Sequence, residues 1–132
     1  EDQADEATCV TPFGERMRNL RGERGVTLKQ MAEAIGVSSA YLSALEHGKR
    51  GRPSWHLVQR IIAYFNVIWD DAEDIVKLAR ISHPRITIDT SGLSPKATEL
   101  ANRLADDIAR LDQATLDDIA AALDRRRQKL RG

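Results

Sequence analysis

Apolar residues recur every third or fourth position through residues 11–81, in five short blocks divided by glycines, prolines and capping hydroxyls. Each block predicts a helix. Thr11-Pro12 offers an N-cap followed by proline at the first helical position; Phe13, Met17 and Leu20 form a buried stripe, and Gly25 stops the helix after Arg24. Thr27 with Gln30 is a capping-box pattern, so a second helix begins near Leu28 and buries Leu28, Met31, Ala32 and Ile35. Gly36 ends it, Val37 plugs the turn, and Ser38 caps a third helix whose Leu42 and Leu45 point inward until Gly48. Pro53-Ser54 opens a fourth, with Trp55, Val58, Ile61, Ile62 and Phe65 as its core face. Asn66 caps it, Val67, Ile68 and Trp69 form an apolar linker, and a fifth helix over residues 70–81 buries Ile75, Val76, Leu78 and Ala79. The aromatic residues of this half read as core rather than as a cofactor cluster.

Beyond His83-Pro84 the pattern changes. Residues 85–90 alternate with β-branched side chains, which predicts either an extended linker or a short strand at residues 86–89 that pairs with its copy in a dimer. After the Ser91-Gly92 turn, Ser94-Pro95 repeats the cap-plus-proline device. Ala97, Leu100, Leu104, Ile108 and Leu111 then make one seam. Thr115 with Asp118 is a capping pattern for another helix, with Leu116, Ile119, Ala120 and Leu123 as a second seam. Two amphipathic helices joined across residues 111–115 suggest an αα-hairpin. Its narrow stripes have little to bury against in one chain, so they either pack on the first half or make a homodimer. Dimerisation is the preferred reading, carried by Leu100, Leu104, Ile108, Leu111, Leu116, Ile119 and Leu123.

The formal charge of zero conceals a segmental pattern. Residues 1–10 hold four acids and no base, an acidic tail without periodicity that predicts disorder. Residues 11–69 hold nine Lys/Arg against four Asp/Glu. Residues 83–124 hold four against eight, and residues 125–132 hold five bases and no acid. A basic half and an acidic half fit a chain with one face turned to nucleic acid. The Arg125–Arg131 run either favours a helix C-terminus or makes a second phosphate contact. Cys9 is the only cysteine, has no internal partner and fits a reducing compartment. No apolar run is long enough to span a membrane.

The third helix carries the chemistry. Opposite Leu42 and Leu45 stand Ser39, Ala40, Ser43, Ala44 and His47, all small or polar. A solvated face ordinarily carries Lys and Glu. A helix lying against base edges in the major groove needs small side chains that can hydrogen-bond. Lys49-Arg50-Gly51-Arg52-Pro53 follows at once, a flexible cationic loop suited to phosphates. No catalytic constellation appears, no metal spacing surrounds His47, His56 or His83, and no phosphate-cradling glycine loop is present. The chain therefore reads as neither an enzyme nor a cofactor protein.

Residues 27–48 resemble the helix-turn-helix of the Xre/Cro family, the phage-repressor-like DNA-binding domains. The likeness rests on Ala32, Gly36, Val37, Leu42, Ser43, Glu46 and Gly48, then Lys49, Arg50 and Pro53, and extends over residues 12–81. It implies a five-helix repressor-like domain over residues 11–82; with the linker or short strand over 83–93 and the helical dimerisation region over 94–132 read from the pattern above, the chain is expected to be all-α. It implies sequence-specific binding of double-stranded DNA by a dimeric transcriptional regulator, most simply a repressor, in a bacterial or phage cytoplasm at the nucleoid. Ser39, Ala40, Ser43 and Ala44 would face bases, with Thr27, Lys29, Gln30, Ser38, Tyr41, His47, Lys49, Arg50 and Arg52 along the backbone. It also pairs Arg21 with Glu46, as a structural lock. One position departs: many members carry Gln where Leu28 stands, so that phosphate contact moves to Lys29 or Gln30. The alternative is an antitoxin-like or polymerase-bridging module that works through a protein partner on its C-terminal helices.

Overall fold

A computed structural model describes residues 9–131, so the acidic tail lies almost wholly outside the described residues. Among the described residues seven α-helices form: α1 Pro12–Arg24, α2 Leu28–Ile35, α3 Ser39–Glu46, α4 Trp55–Tyr64, α5 Trp69–Arg80, α6 Pro95–Asp107 and α7 Gln113–Arg131, with a 3₁₀ turn at Ile108–Arg110. The contacts divide the chain into two compact units, one up to Ile86 and one from Thr87 onward. Among the described residues there is no strand.

The first unit is built on the predicted caps. Thr11, Thr27, Ser38 and Ser54 each accept the backbone N–H three residues on, which satisfies one orphan donor at each helix start. Thr27 and Gln30 complete both halves of the capping box, at 2.9 and 3.0 Å. Gly36 takes the left-handed conformation, φ 82°, that ends α2 and lets Val37 turn the chain into α3. The core gathers Phe13, Met17 and Leu20 from α1, Met31, Ala32 and Ile35 from α2, and Leu42 and Leu45 from α3. Leu57, Val58, Ile61 and Phe65 join from the α4 segment, with Ile75 and Ala79 from α5. Each large side chain so buried contributes about 1.5–3 kcal/mol of transfer free energy.

Long-range polar bonds tie the ends. Ser82 is buried; its hydroxyl accepts from Phe13 N at 2.8 Å and donates to Leu78 O at 2.5 Å, joining the start of α1 to the end of α5. The Arg24 guanidinium donates to Phe65 O at 2.6 Å and lies 5.8 Å from the centre of that ring.

Three expectations about packing are corrected. Trp55 is 62% exposed, and Leu57 takes its place in the core. Trp55 is the first residue of α4, directly after its Ser54 cap. Helix α5 starts at Trp69, not Asp70, and Trp69 is 83% exposed. The aromatic side chains are therefore not one core set: Phe13 and Phe65 are buried, while Trp55, Tyr64 and Trp69 face solvent.

The second unit has helices but no buried core. Ser94 caps α6 and Asp112 caps α7, its carboxylate accepting Thr115 N at 2.8 Å. The second seam's helix thus begins a turn earlier than the Thr115–Asp118 pattern suggested. Hydrogen bonding to Thr115 holds the Asp112 carboxyl below the usual aspartate range. No side chain of α6 or α7 is buried. Leu104, Leu111, Leu116 and Ile119 are half-buried, whereas Leu100, Ile108, Leu123 and Leu130 are exposed. The segment at residues 86–89 is irregular, and its Asp89 folds into a local turn by accepting Ser91 N at 2.9 Å.

Candidate nucleic-acid interface

Helix α3 is fixed at its C-terminal end by α1, through contacts that converge on Glu46. Thr11 N donates to Glu46 O at 3.0 Å. Gly14 lies so close that a Cβ there would stand 2.2 Å from the same carbonyl oxygen, so only glycine fits. The Glu46 side chain, which is fully buried, takes a forked pair of bonds from Arg21, and the Arg18 Nε lies 3.8 Å from its Oε1. A carboxylate out of water needs such partners, and a guanidinium fork supplies them with directional geometry. Glu46 thus ties the end of α3 to α1 through both its backbone carbonyl and its side chain.

At the other end, Ser38 caps α3 by accepting Tyr41 N at 3.0 Å. Ser39 and Ala40 are exposed, whereas Ser43 and Ala44 are half-buried. The four side chains assigned to base edges are thus presented unequally, with the first turn of α3 most open. Thr27, Lys29, Gln30 and Ser38 are exposed along the starts of α2 and α3. Gln30 spends its carbonyl on the capping box and keeps its amide nitrogen as a donor. Leu28 is partly buried against the core, so the departure from the family pattern has a packing role here.

The loop after α3 is cationic and open. Gly48 and Gly51 take positive φ, 76° and 77°, and Lys49, Arg50 and Arg52 are exposed. The Arg50 guanidinium sits 5.6 Å from the centre of the Tyr41 ring, a cation–π placement that holds its charge beside α3. His47 is half-buried at the end of α3. Its Nδ1 lies 2.8 Å from Ser43 O, and its Nε2 is buried without a partner, so the ring is folded back onto its own helix. Arg60 was missed: it donates to Ile35 O at 3.1 Å and so closes the C-terminal end of α2 behind the turn. Nothing local marks that role, because the bond joins residues in different helices. Among the described residues no cluster of three or more His, Cys, Asp or Glu could hold a metal, and no helix is long and apolar enough to cross a membrane.

Comparison with known proteins adds to this geometry. Residues 12–74 match the family model described as a helix-turn-helix domain. The uncharacterized HTH-type transcriptional regulator RghRB of Bacillus subtilis is 37% identical over 62 residues, 47% of this chain and 45% of that protein. The HTH-type transcriptional repressor RghR of the same organism is 45% identical over 49 residues, 37% of this chain and 36% of that one. The HTH-type transcriptional regulator SinR of Bacillus subtilis is 33% identical over 55 residues, 42% of this chain and 50% of that protein. The chain thus spans half or less of the length of these relatives. A solved chain titled as a SinR protein/SinI protein complex aligns over 88% of this chain and 98% of that one, at 21% identity and a TM-score of 0.41, too loose a likeness to bear on the site.

Proposed function

Over residues 12–74 this chain is an Xre/Cro-like helix-turn-helix protein, and from that premise we propose that it is a sequence-specific DNA-binding transcriptional regulator, a repressor that acts as a homodimer. The observation that carries the proposal is the pairing of a small-sided, open first turn on α3 with an exposed cationic loop directly behind it. Helix α3 enters the major groove with its N-terminal end foremost, as recognition helices do. Ser39 and Ala40 lead the readout there: a serine hydroxyl can donate or accept, and an alanine methyl can meet a thymine methyl. Ser43 and Ala44 follow where the helix rises toward the core. Thr27, Lys29, Gln30, Ser38, Tyr41, Lys49, Arg50 and Arg52 hold phosphates, with Arg50 set in place by the Tyr41 ring. A face with no long hydrogen-bonding side chain reads few bases, so DNA shape and half-site spacing supply much of the selectivity. Two copies would present half-sites about 34–36 Å apart. The regulators among its relatives are not named as enzymes.

Enrichment of bound fragments from genomic DNA tests the proposal, and recovery of no motif overturns it. Lys49→Ala and Arg50→Ala sharpen it. Each should weaken binding to all sequences alike and flatten the plot of log affinity against log salt by about 0.9 per lost contact. An unchanged slope would remove the loop from the interface.

A second reading draws on the second unit, whose helices have no buried side chain. Such faces also suit a protein partner, as in an antitoxin-like or polymerase-bridging module. Light scattering separates the two: a dimer when purified alone supports the first reading, a monomer the second.

A further inference from the structure

We infer that His83 and Arg85, at the start of the segment that leaves α5, extend the phosphate-binding surface of the loop after α3. This rests on the DNA-binding reading above and adds two contacts from a different part of the chain.

The segment is held against the loop. Ser82 is buried, and its hydroxyl bonds with Phe13 N and Leu78 O fix where the chain turns away from α5. A Cβ placed on Gly48 would stand 3.0 Å from the Thr11 Cγ2 and 3.3 Å from the Pro84 Cβ, and one on Gly51 would stand 3.9 Å from the His83 Nε2. Residues 83–84 therefore lie beside both of the glycines that bend the cationic loop. Pro84 has a fixed φ, which stiffens the segment there. His83, Pro84 and Arg85 are exposed, as are Lys49, Arg50 and Arg52.

The chemistry of that surface is one-sided. Residues 47–54 hold Lys49, Arg50 and Arg52 and no acid; residues 80–86 hold Arg80, His83 and Arg85 and no acid. Glu46, the acid that precedes the loop, is buried in its fork with Arg21. Cations grouped without carboxylates keep their charge available to an outside anion. His83 adds direction. Its Nδ1 accepts Arg85 N at 3.1 Å, so the ring hydrogen of the neutral form sits on Nε2, the nitrogen nearest Gly51. An N–H held beside the loop can donate to a phosphate oxygen that the loop cations also attract. Arg85 follows with a guanidinium, which can take a phosphate by two N–H groups at once. The DNA backbone is the occupant that suits this patch, because successive phosphates along one strand can meet cations from two separate segments.

The test titrates the full chain onto a short mixed-sequence duplex over a range of KCl concentrations, read by fluorescence anisotropy. Arg85→Gln should flatten the plot of log affinity against log salt by about 0.9, the slope of one lost phosphate contact. His83→Arg should steepen it by up to about 0.9 and tighten binding, a gain that a merely structural histidine would not give. His83→Ala should weaken binding about 3- to 10-fold. Lys77→Gln removes an exposed charge elsewhere on α5 and should leave the slope unchanged. Equal flattening by Arg85→Gln and Lys77→Gln would reduce the effect to overall charge and overturn the proposal. A slope moved by neither Arg85→Gln nor His83→Arg would overturn it too. Lys49→Ala separates that failure from the larger one. If Lys49→Ala flattens the slope and the changes at 83 and 85 do not, only the extension fails. If the unmodified chain binds no duplex, the DNA-binding reading fails with it.

Discussion

The two units obey the same local rules and reach opposite ends. Both have hydroxyl or carboxylate caps, proline at a first helical position and amphipathic stripes. The first unit closes fourteen hydrophobic side chains into one core, while the second buries none. Helix signals are local and are satisfied in either setting. A core needs several faces that meet, and five short helices offer that where two helices do not. The first unit therefore carries a core of its own, and the second, among the described residues, does not.

Cutting the lock on α3 is the most severe way to test that contrast. Glu46→Ala leaves the half-buried Arg21 without its anion and removes the buried fork. The expected loss is about 3–5 kcal/mol of first-unit stability, read by chemical denaturation. Helicity of the second unit should be the same in the Glu46→Ala and unmodified proteins at each denaturant concentration, since it draws nothing from the first unit's core. Simultaneous loss of both would show that the units do not fold separately.

A smaller effect comes from two glycines of the same helix. Gly14→Ala drives a methyl into the Glu46 carbonyl, so α1 or α3 must shift, at a cost of about 1–3 kcal/mol. Gly22→Ala meets nothing within 4 Å and should stabilise by about 0.5–1 kcal/mol through helix propensity. Opposite signs within one helix are the result to look for in thermal melts. Equal signs would mean that α1 does not press on α3 as described.

The contrast also shows what could be read from the residues alone. Helix starts were legible because a cap is a local pattern: Thr27 with Gln30 needs no tertiary partner to announce itself. Helix-to-helix detail was less so. Periodicity placed Trp55 on the same stripe as Val58 and Ile61, but it cannot say how much of a helix's first turn its neighbours cover, and Trp55 is left exposed. Arg60 closing α2, Ser82 bridging α1 and α5, and His47 folding back are contacts set by the fold. The start of α7 was misplaced because Asp112 and Thr115 both belong to capping patterns. The earlier one extends the helix by a turn and satisfies the same donor rule. The Arg21–Glu46 pair came from resemblance, since nothing in their spacing joins them, and the side chains do meet in the structure.

The mildest test concerns that Asp112 cap, and it separates the units by pH. Its carboxyl is held below the usual aspartate range by the Thr115 hydrogen bonds, so the bond stabilises the start of α7 when the acid is ionised. A depressed folded value gives stability that is fully present above the unfolded value, near 4, and is lost as pH falls through the lower folded value. Helicity at residues 113–116, followed by backbone chemical shifts, should therefore fray below about pH 4. Asp112→Asn, which still accepts the bond but does not titrate, should hold the same helix start flat across that range. The caps of the first unit are hydroxyls, Thr11, Thr27, Ser38 and Ser54, and have no such titration. Fraying at α7 with no change at α1 to α4 would locate acid sensitivity in the unit that lacks a core. Equal fraying in the Asp112→Asn protein would assign it to the surrounding aspartates instead.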